Sequence, residues 1–395
     1  MKIAFLTAGG IAPCLSSSIV RMIKQYSLTN SDIEIIGYLN GYKGLLQGNS
    51  IKIPIDIANH EKKIYSFGGT FLGNSRVKLM NVDDCVKKGY ILNGQNPLEV
   101  AANQLIEDNV NILHTIGGDD TNTSAADLVK YLKNKNYNLT VVGLPKTIDN
   151  DIYPLVQTLG AYTAAEQSAL FFENIVNENT TSSRQLIIHE VMGRNCGWLT
   201  AYSSFLYRKK IDEKEFFPKI GLIKNKWDIH AIYIPELKFD LSKEIDRLNK
   251  IMDEFDCVNI FLSEGAGIEN IIKEKKANNE EILYDAFGHY RLDDINPGQW
   301  YANYFKDKLK CDKLLVQKSG YFSRSAAPNK KDLELIIQHA DMAVACAKQG
   351  NSGVIGIDEQ NNKLSCIEFN RIKGGKPFDI TNFWFQEIIK DIGQG

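Results

Sequence analysis

Nine short apolar runs constrain the fold of this chain more than any other feature. Most of them lack the alternation of apolar and polar residues that marks a strand with one solvated face, so each predicts a strand covered on both faces. The predicted strands are 3–7, 33–38, 112–116, 140–144, 186–191, 231–234, 258–262, 314–317 and 354–357. Buried strands of this kind, when helices connect them, form mainly parallel sheets.

Helix signals lie between these runs. Asn96 precedes Pro97 and Glu99, which is the order of an N-cap, a first-turn proline and an acidic first turn. In the segment 241–255 the apolar residues share one helical face. The polar segment 273–281 predicts an exposed loop. Since 395 residues exceed what one core holds, we predict an α/β protein of two Rossmann-like, doubly wound domains with mainly parallel sheets.

Composition excludes several classes of function. The formal net charge is −2, and no basic face indicates nucleic acid. No run approaches the roughly 18 apolar residues that a membrane span needs. The seven cysteines form no CxxC pair, and the six histidines show no metal-ligand spacing. These features favour reduced thiols and a cytoplasmic location rather than disulfides or a zinc site.

Two glycine-containing turns follow predicted strands. The segment TAGGIAP (7–13) would let a ligand approach the backbone at Gly10, although a tight turn without a ligand also explains it. In IGGDDTNTS (116–124), Gly118 opens the backbone before Asp119 and Asp120. Adjacent carboxylates at a strand end favour a cation, and Mg²⁺ prefers oxygen ligands and phosphate partners. The alternative is an Asx-type helix cap, which would use one aspartate and leave the other in solvent. The side chains of Thr121 and Thr123 are also expected to be able to cap the next helix.

A third turn, PKTIDND (145–151), places one ammonium and two carboxylates after the strand 140–144. A magnesium–phosphate site needs a carboxylate for the metal, a base near the attacking hydroxyl and a cation on the migrating phosphoryl group. Asp151, Asp149 and Lys146 match these needs, whereas a plain Asn-Asp turn is the alternative. The turn therefore indicates phosphoryl transfer.

These motifs resemble the phosphofructokinase family. GGDDT and PKTIDND are followed, in the family's order, by MGR (192–194), SEGAG (263–267) and GYFSRSA (320–326). Together with TAGGIAPCLSS they resemble the pyrophosphate-dependent branch. The resemblance implies a phosphoryl-donor domain (1–160 plus about 325–380) and a fructose 6-phosphate domain (about 161–324 plus 381–395), with the active site in the cleft between them.

The resemblance also implies roles for individual residues. Asp149 would take the proton from the 1-hydroxyl of the sugar, beside Thr147, and Asp119 and Asp151 would hold Mg²⁺. Five residues of the first domain would contact the donor phosphates: Gly10, Arg76, Gly118, Asp120 and Lys146. Fructose 6-phosphate would contact Thr147, Asp149, Met192, Gly193, Arg194, Glu264, Lys318, Tyr321 and Arg324.

Donor choice would depend on two positions. In ATP-dependent members the equivalents of Asp120 and Lys146 are usually glycines, which leave room for the α-phosphate and the nucleoside. An aspartate fills that room and repels a third phosphate, and a lysine adds a cation suited to pyrophosphate. The pattern therefore favours pyrophosphate.

Two positions depart from the family pattern. Gln185 stands where ATP-using bacterial relatives have an arginine that can reach across a subunit interface, and Arg184 lies one residue earlier. Leu315 replaces an arginine expected before Tyr321, and Lys318, or alternatively Lys313, is expected to supply the missing charge.

The function implied is reversible phosphoryl transfer from magnesium pyrophosphate to fructose 6-phosphate by a homodimer or homotetramer. Two alternatives remain: an ATP-dependent 6-phosphofructokinase, and a noncatalytic regulatory subunit that binds sugar phosphate. A kinase of NAD or lipids, which can share a GGDxT-type loop, is a more distant third reading.

Overall fold

The computed structural model describes residues 1–29, 32–284 and 290–395. The chain divides into two compact units, one of residues 1–163 and 324–376 and one of residues 164–323 and 377–395. Each unit contains a mainly parallel sheet with helices packed on it. None of the helices in the described ranges combines the length and the apolar character that a membrane span requires.

The strands are β1 (Lys2–Thr7), β2 (Glu34–Tyr38), β3 (Ser50–Lys52), β4 (Ile112–Gly117), β5 (Thr140–Pro145), β6 (Gln185–Val191), β7 (Ala231–Tyr233), β8 (Cys257–Ser263), β9 (Lys313–Lys318), β10 (Gly353–Asp358) and β11 (Lys363–Ile367). All the predicted strands are confirmed, and their ends agree within one residue. The strands β3 and β11 were not predicted. Both are partly exposed edge strands, so neither has an unbroken apolar run.

The helices are α1 (Leu15–Ser27), α2 (Tyr42–Leu46), α3 (Glu61–Ile64), α4 (Val82–Lys87), α5 (Pro97–Glu107), α6 (Asp119–Asn134), α7 (Ala161–Ile175), α8 (Trp198–Asp212), α9 (Lys224–Trp227), α10 (Leu241–Phe255), α11 (Ile268–Ala277), α12 (Leu292–Ile295), α13 (Pro297–Lys306), α14 (Gly320–Arg324), α15 (Lys330–Lys348) and α16 (Phe383–Asp391). Short 3-10 helices span Ile55–His60, Val176–Thr180, Pro218–Ile220 and Phe369–Arg371.

Two helix predictions are confirmed and one loop prediction is partly wrong. The side chain of Asn96 caps α5 by accepting a hydrogen bond from Leu98 N, and α10 has the predicted bounds. The expected loop 273–281 begins inside α11, because buried Ile271 and Ile272 anchor that helix and leave its charges on the solvated side.

The sheet of the first unit has the order β11-β10-β5-β4-β1-β2-β3. The pairs β10–β11 and β2–β3 are antiparallel, and the central strands are parallel. From β1 the chain first builds outward through β2 and then returns to β4 on the other side. The order therefore reverses between β1 and β4, and ligands of doubly wound sheets bind at the carboxyl ends of such strands.

The sheet of the second unit has the order β7-β8-β6-β9, and all its strand pairs are parallel. The carboxyl ends of β8, β6 and β9 are therefore neighbours at one edge. Its core is apolar and includes Leu186, Ile260 and Phe305, while Leu6, Leu113 and other side chains fill the core of the first unit. These rigid sheets fix the loops that follow their strands.

Candidate active site

Lys146 lies at the centre of the site residues of the first unit. It follows β5, and its backbone N–H donates to Gly117 O at 2.9 Å, which continues the pairing of β4 with β5. The side chain is only 5% exposed, and its Nζ donates to Gly10 O at 2.5 Å. The carbonyl of Gly10 also accepts a hydrogen bond from Asn74 Nδ2 at 3.2 Å.

Two guanidinium groups reach the same glycine. A Cβ on Gly10 would lie 3.8 Å from Nη2 of Arg76 and 3.9 Å from Nη1 of Arg324, and a Cβ on Gly9 would lie 3.1 Å from Nζ of Lys146. The structure thus places three cations around the turn after β1. We call Arg76, Lys146 and Arg324 the cation nest.

The pKa of Lys146, the lysine of the nest, is lowered. Burial lowers the pKa of Lys146 to about 8, and the charges of Arg76 and Arg324 add to that effect. Cys14 and Asp149 act in the opposite direction. A buried ammonium with two further cations nearby is costly, so this arrangement favours the binding of a compact anion.

The turn after β5 presents its two carboxylates around a left-handed residue. Asn150 adopts φ 56°, a conformation that asparagine tolerates, and its Oδ1 accepts a hydrogen bond from Thr158 N at 2.9 Å. Thr147 Oγ1 accepts a hydrogen bond from Asp149 N at 3.1 Å. Asp149 and Asp151, which flank the buried Asn150, are partly buried.

Asp119 and Asp151 lie near enough to interact electrostatically. Burial raises the pKa of Asp151, and the negative charge of Asp119 raises it further. Two repelling carboxylates form an oxygen-ligand pair that a divalent cation would stabilise. Within the described ranges, no group of three or more histidine, cysteine or carboxylate side chains forms a metal site from protein ligands alone.

Gly374 makes room for one of these carboxylates and was not predicted. A Cβ at this residue would lie 2.1 Å from Oδ2 of Asp119, which is less than any side chain tolerates. The pairing of Tyr153 with Lys373 and a hydrogen bond from Lys376 N to Asp151 O at 2.9 Å hold the loop in place. A lone glycine in a polar loop gives no signal of this contact.

Asp120, which was predicted to repel a third phosphate, forms an ion pair. Its Oδ2 lies 2.8 Å from Nζ of Lys78, a residue outside all the motifs predicted to form the site. The helix α6 begins at Asp119 with Gly118 as its N-cap and without a capping side chain, so the expectation that the threonines 121 and 123 cap it is wrong. Both aspartates occupy the first helical turn, where the helix dipole favours negative charge.

In the second unit, Met192, Gly193 and Glu264 are brought together. Ser263 Oγ donates to Gly193 O at 2.5 Å, and Gly193 N lies 3.4 Å from Glu264 Oε1. Gly193 has φ 135°, which disfavours any other residue. The sulfur-bearing chain of Met192 packs on Gly320, which begins α14 and thus links the turn after β6 to Tyr321.

Lys318 and Arg184 engage partners inside this unit. Nζ of Lys318 lies 2.9 Å from Oε1 of the buried Glu190. Lys318 was expected to supply the charge of the arginine that Leu315 replaces, but its ammonium neutralises this glutamate. Arg184 donates to Asp253 Oδ1 at 2.7 Å and to the backbone carbonyls of Leu309 and Lys310, which precede β9.

Lys313, the other candidate for the missing charge, pairs with Glu178 at 3.0 Å. Tyr321, by contrast, is 72% exposed.

Comparisons with known proteins agree with the fold. Residues 2–347 match the family model described as Phosphofructokinase. The proteins named pyrophosphate–fructose 6-phosphate 1-phosphotransferase of Methylomonas methanica and Methylotuvimicrobium alcaliphilum are 54% and 53% identical to the chain. In both cases the match covers 100% of the chain and 96% of the relative. ATP-dependent 6-phosphofructokinases among the relatives are 25 to 28% identical.

A crystal structure of a pyrophosphate-dependent phosphofructokinase from Marinobacter aquaeolei aligns with a TM-score of 0.71 at 19% identity, covering 100% of this chain and 92% of that one. At this identity the alignment bears on the fold alone. The family model and the full-length relatives settle the classification: the chain belongs to the phosphofructokinase family.

Proposed function

We propose that the chain catalyses the reversible transfer of a phosphoryl group from pyrophosphate to the 1-hydroxyl of fructose 6-phosphate. The observation that carries the proposal is the cation nest, in which a buried lysine and two arginines surround the turn at Gly10. Pyrophosphate is a small, highly charged anion that would offset the repulsion within the nest. Full-length relatives named pyrophosphate–fructose 6-phosphate 1-phosphotransferase support the same reaction.

In the proposed reaction Asp149 accepts the proton of the sugar's 1-hydroxyl. The freed oxygen forms a bond to the terminal phosphorus while the bond from that phosphorus to the bridging oxygen breaks. Inorganic phosphate leaves with the electron pair, and fructose 1,6-bisphosphate is formed. The lysine and arginines of the nest hold the donor and offset the charge that spreads over its oxygens, and Thr147 orients Asp149 through its backbone N–H.

Asp119 and Asp151 fit a magnesium ion in this scheme. Burial and the nearby charge of Asp119 both raise the pKa of Asp151, and a cation bound between the two carboxylates would offset both effects. Mg²⁺ binds through one or two carboxylates and takes its other ligands from phosphates and water. When bound, it would neutralise negative charge on the phosphates.

We assign donor binding to the first unit and sugar-phosphate binding to the second. Met192, Gly193, Arg194 and Glu264 follow neighbouring strands and are proposed to hold the sugar, with Tyr321 at its phosphate. The pairing of Lys318 with Glu190 makes it a weaker phosphate ligand than expected. Arg324 was assigned to the sugar from the sequence, but its guanidinium beside Gly10 favours contact with the donor or with the phosphoryl group in transfer.

We also infer a cytoplasmic location and a homodimer or homotetramer. All seven cysteines are free thiols in the structure, as expected in a reducing compartment. Light scattering on the purified protein tests the assembly.

A side-by-side assay of donors tests the proposed function. Purified protein is given fructose 6-phosphate and Mg²⁺ with either pyrophosphate or ATP, and fructose 1,6-bisphosphate is measured. We expect kcat/KM for pyrophosphate to exceed that for ATP by at least about 100-fold, the equivalent of about 2.7 kcal/mol. A larger kcat/KM for ATP would favour the ATP-dependent alternative, and no turnover with either donor would favour a regulatory subunit.

The pH dependence of donor binding follows from Lys146. Its ammonium is charged below its pKa of about 8 and loses that charge as the pH rises. We expect kcat/KM for pyrophosphate to fall above this pH, and kcat/KM reports the free enzyme. In a Lys146→Met variant pyrophosphate itself titrates as before, but the fall in kcat/KM that comes from the lysine should be absent. Identical pH profiles of kcat/KM for the two proteins would contradict the assignment of this fall to Lys146.

Substitution of Gly374 should weaken metal binding. In Gly374→Ala the new methyl group would displace the carboxylate of Asp119. We expect about a tenfold weaker affinity for Mn²⁺, measured by electron paramagnetic resonance in the presence of methylenediphosphonate. Asp119→Asn should weaken it further, and Gly395→Ala, where a Cβ meets open space, should not. Unchanged Mn²⁺ affinity in Gly374→Ala would contradict the placement of the metal at Asp119.

A further inference from the structure

The ion pair between Lys78 and Asp120 changes the expected basis of donor choice. The sequence predicts that Asp120 excludes a third phosphate partly by its negative charge. In the structure Nζ of Lys78 lies 2.8 Å from Oδ2 of Asp120, so the pair as a whole is neutral. The side chains are 31% and 57% exposed, respectively, and exposed pairs contribute little to stability. Any larger effect of the pair would therefore be on ligand binding rather than on folding stability.

The backbone fixes the direction of the Lys78 side chain. Its neighbours Val77 and Leu79 are buried in the core of the first unit, which leaves residue 78 on the opposite side of the chain. The same segment is held to the turn after β1, because Gly9 N donates to Ser75 O at 2.9 Å. Lys78 is thus anchored two residues beyond Arg76 of the cation nest.

We propose that Lys78 is a specificity-determining residue, which holds Asp120 across the N-terminus of α6 and cancels its charge beside the donor. This inference rests on the proposed function. The pair fills the space beyond a two-phosphate donor, and its neutrality spares pyrophosphate the repulsion of a bare carboxylate. A nucleotide would have to separate the two side chains to place its inner phosphate there.

The pair also implies a latent nucleotide site. Without Asp120, the ammonium of Lys78 would face the N-terminus of α6, where backbone N–H groups and the helix dipole already favour an anion. Lys78 would then become a ligand for the inner phosphate of ATP. Residues 78 and 120 should therefore be coupled in donor choice.

A double-mutant cycle tests this coupling. The proteins Lys78→Met, Asp120→Gly and the double variant are assayed with pyrophosphate and with ATP. We expect Lys78→Met to raise KM for pyrophosphate about tenfold, with kcat and KM for the sugar unchanged, because Asp120 is left uncompensated. Asp120→Gly should have a higher kcat/KM for ATP than the wild type. In the double variant kcat/KM for ATP should be about tenfold lower than in Asp120→Gly.

The control is Lys88→Met, which removes an ion pair of the same length, to Asp84 at 2.8 Å, outside the site. It should leave both donors unchanged, and thermal melting should show that every variant is folded. Two results in a wild type that prefers pyrophosphate would together overturn the role of Lys78. The first is an unchanged KM for pyrophosphate in Lys78→Met, and the second is equal ATP use by Asp120→Gly and the double variant. A wild-type preference for ATP would instead overturn the proposed function itself.

Discussion

Asp149→Asn should lower kcat by about 10²- to 10⁴-fold, the range that general base catalysis usually contributes. The asparagine keeps the size of the side chain and its place on the turn, but it cannot accept the proton of the sugar's 1-hydroxyl. Steady-state kinetics with saturating pyrophosphate and fructose 6-phosphate measures the loss. Binding of fructose 6-phosphate, followed by calorimetry, should change by less than about tenfold, because only one hydrogen bond is altered.

Asp56→Asn is a matched control, since it makes the same chemical change at an exposed residue of the same unit. It should keep full activity. If Asp149→Asn retained more than about a tenth of the wild-type kcat, Asp149 would not be the base. A loss of sugar binding as large as the loss of kcat would show instead that Asp149 mainly binds the sugar.

Lys146→Met should have the second-largest effect, on the donor. Methionine keeps the length of the buried chain but removes the ammonium that joins the nest to Gly10 O. A hydrogen bond to a charged group contributes about 1.5–3 kcal/mol, so we expect kcat/KM for pyrophosphate to fall about 10- to 150-fold. The sugar's dissociation constant should stay unchanged in a binding titration without donor.

Lys130→Met, at an exposed residue of α6, is the matched control and should behave as wild type. Melting curves separate a loss of donor binding from a loss of folding. A kcat/KM for pyrophosphate that stays within twofold of the wild type would show that the cation nest does not hold the donor.

Most of the fold follows from local patterns in the sequence. Buried parallel strands such as β4 and β8 are short, mostly apolar segments without polar alternation, so their bounds could be predicted. The edge strands β3 and β11 could not, because they have exposed positions and pair antiparallel through contacts that their own residues do not signal. The helix α11 was predicted as part of a loop where its charges outnumber its buried side chains.

The site was predictable where its residues share a motif and unpredictable where contacts are distant in sequence. Asp119, Lys146 and Asp149 stand at strand ends, which a doubly wound sheet brings to one edge. The ion pair of Lys78 with Asp120 joins residues 42 positions apart. The contact of Gly374 with Asp119 and the pairing of Lys318 with Glu190 likewise depend on tertiary structure.

A crystal structure with Mg²⁺ and methylenediphosphonate, a non-hydrolysable form of pyrophosphate, tests the central claim most directly. The account predicts that phosphonate oxygens contact Nζ of Lys146 and the guanidinium of Arg76 at the turn of Gly10, with the ion pair of Lys78 and Asp120 intact beyond them. A diphosphonate bound elsewhere, or an ATP analogue seated past residue 120 with Lys146 turned away from its phosphates, would contradict it.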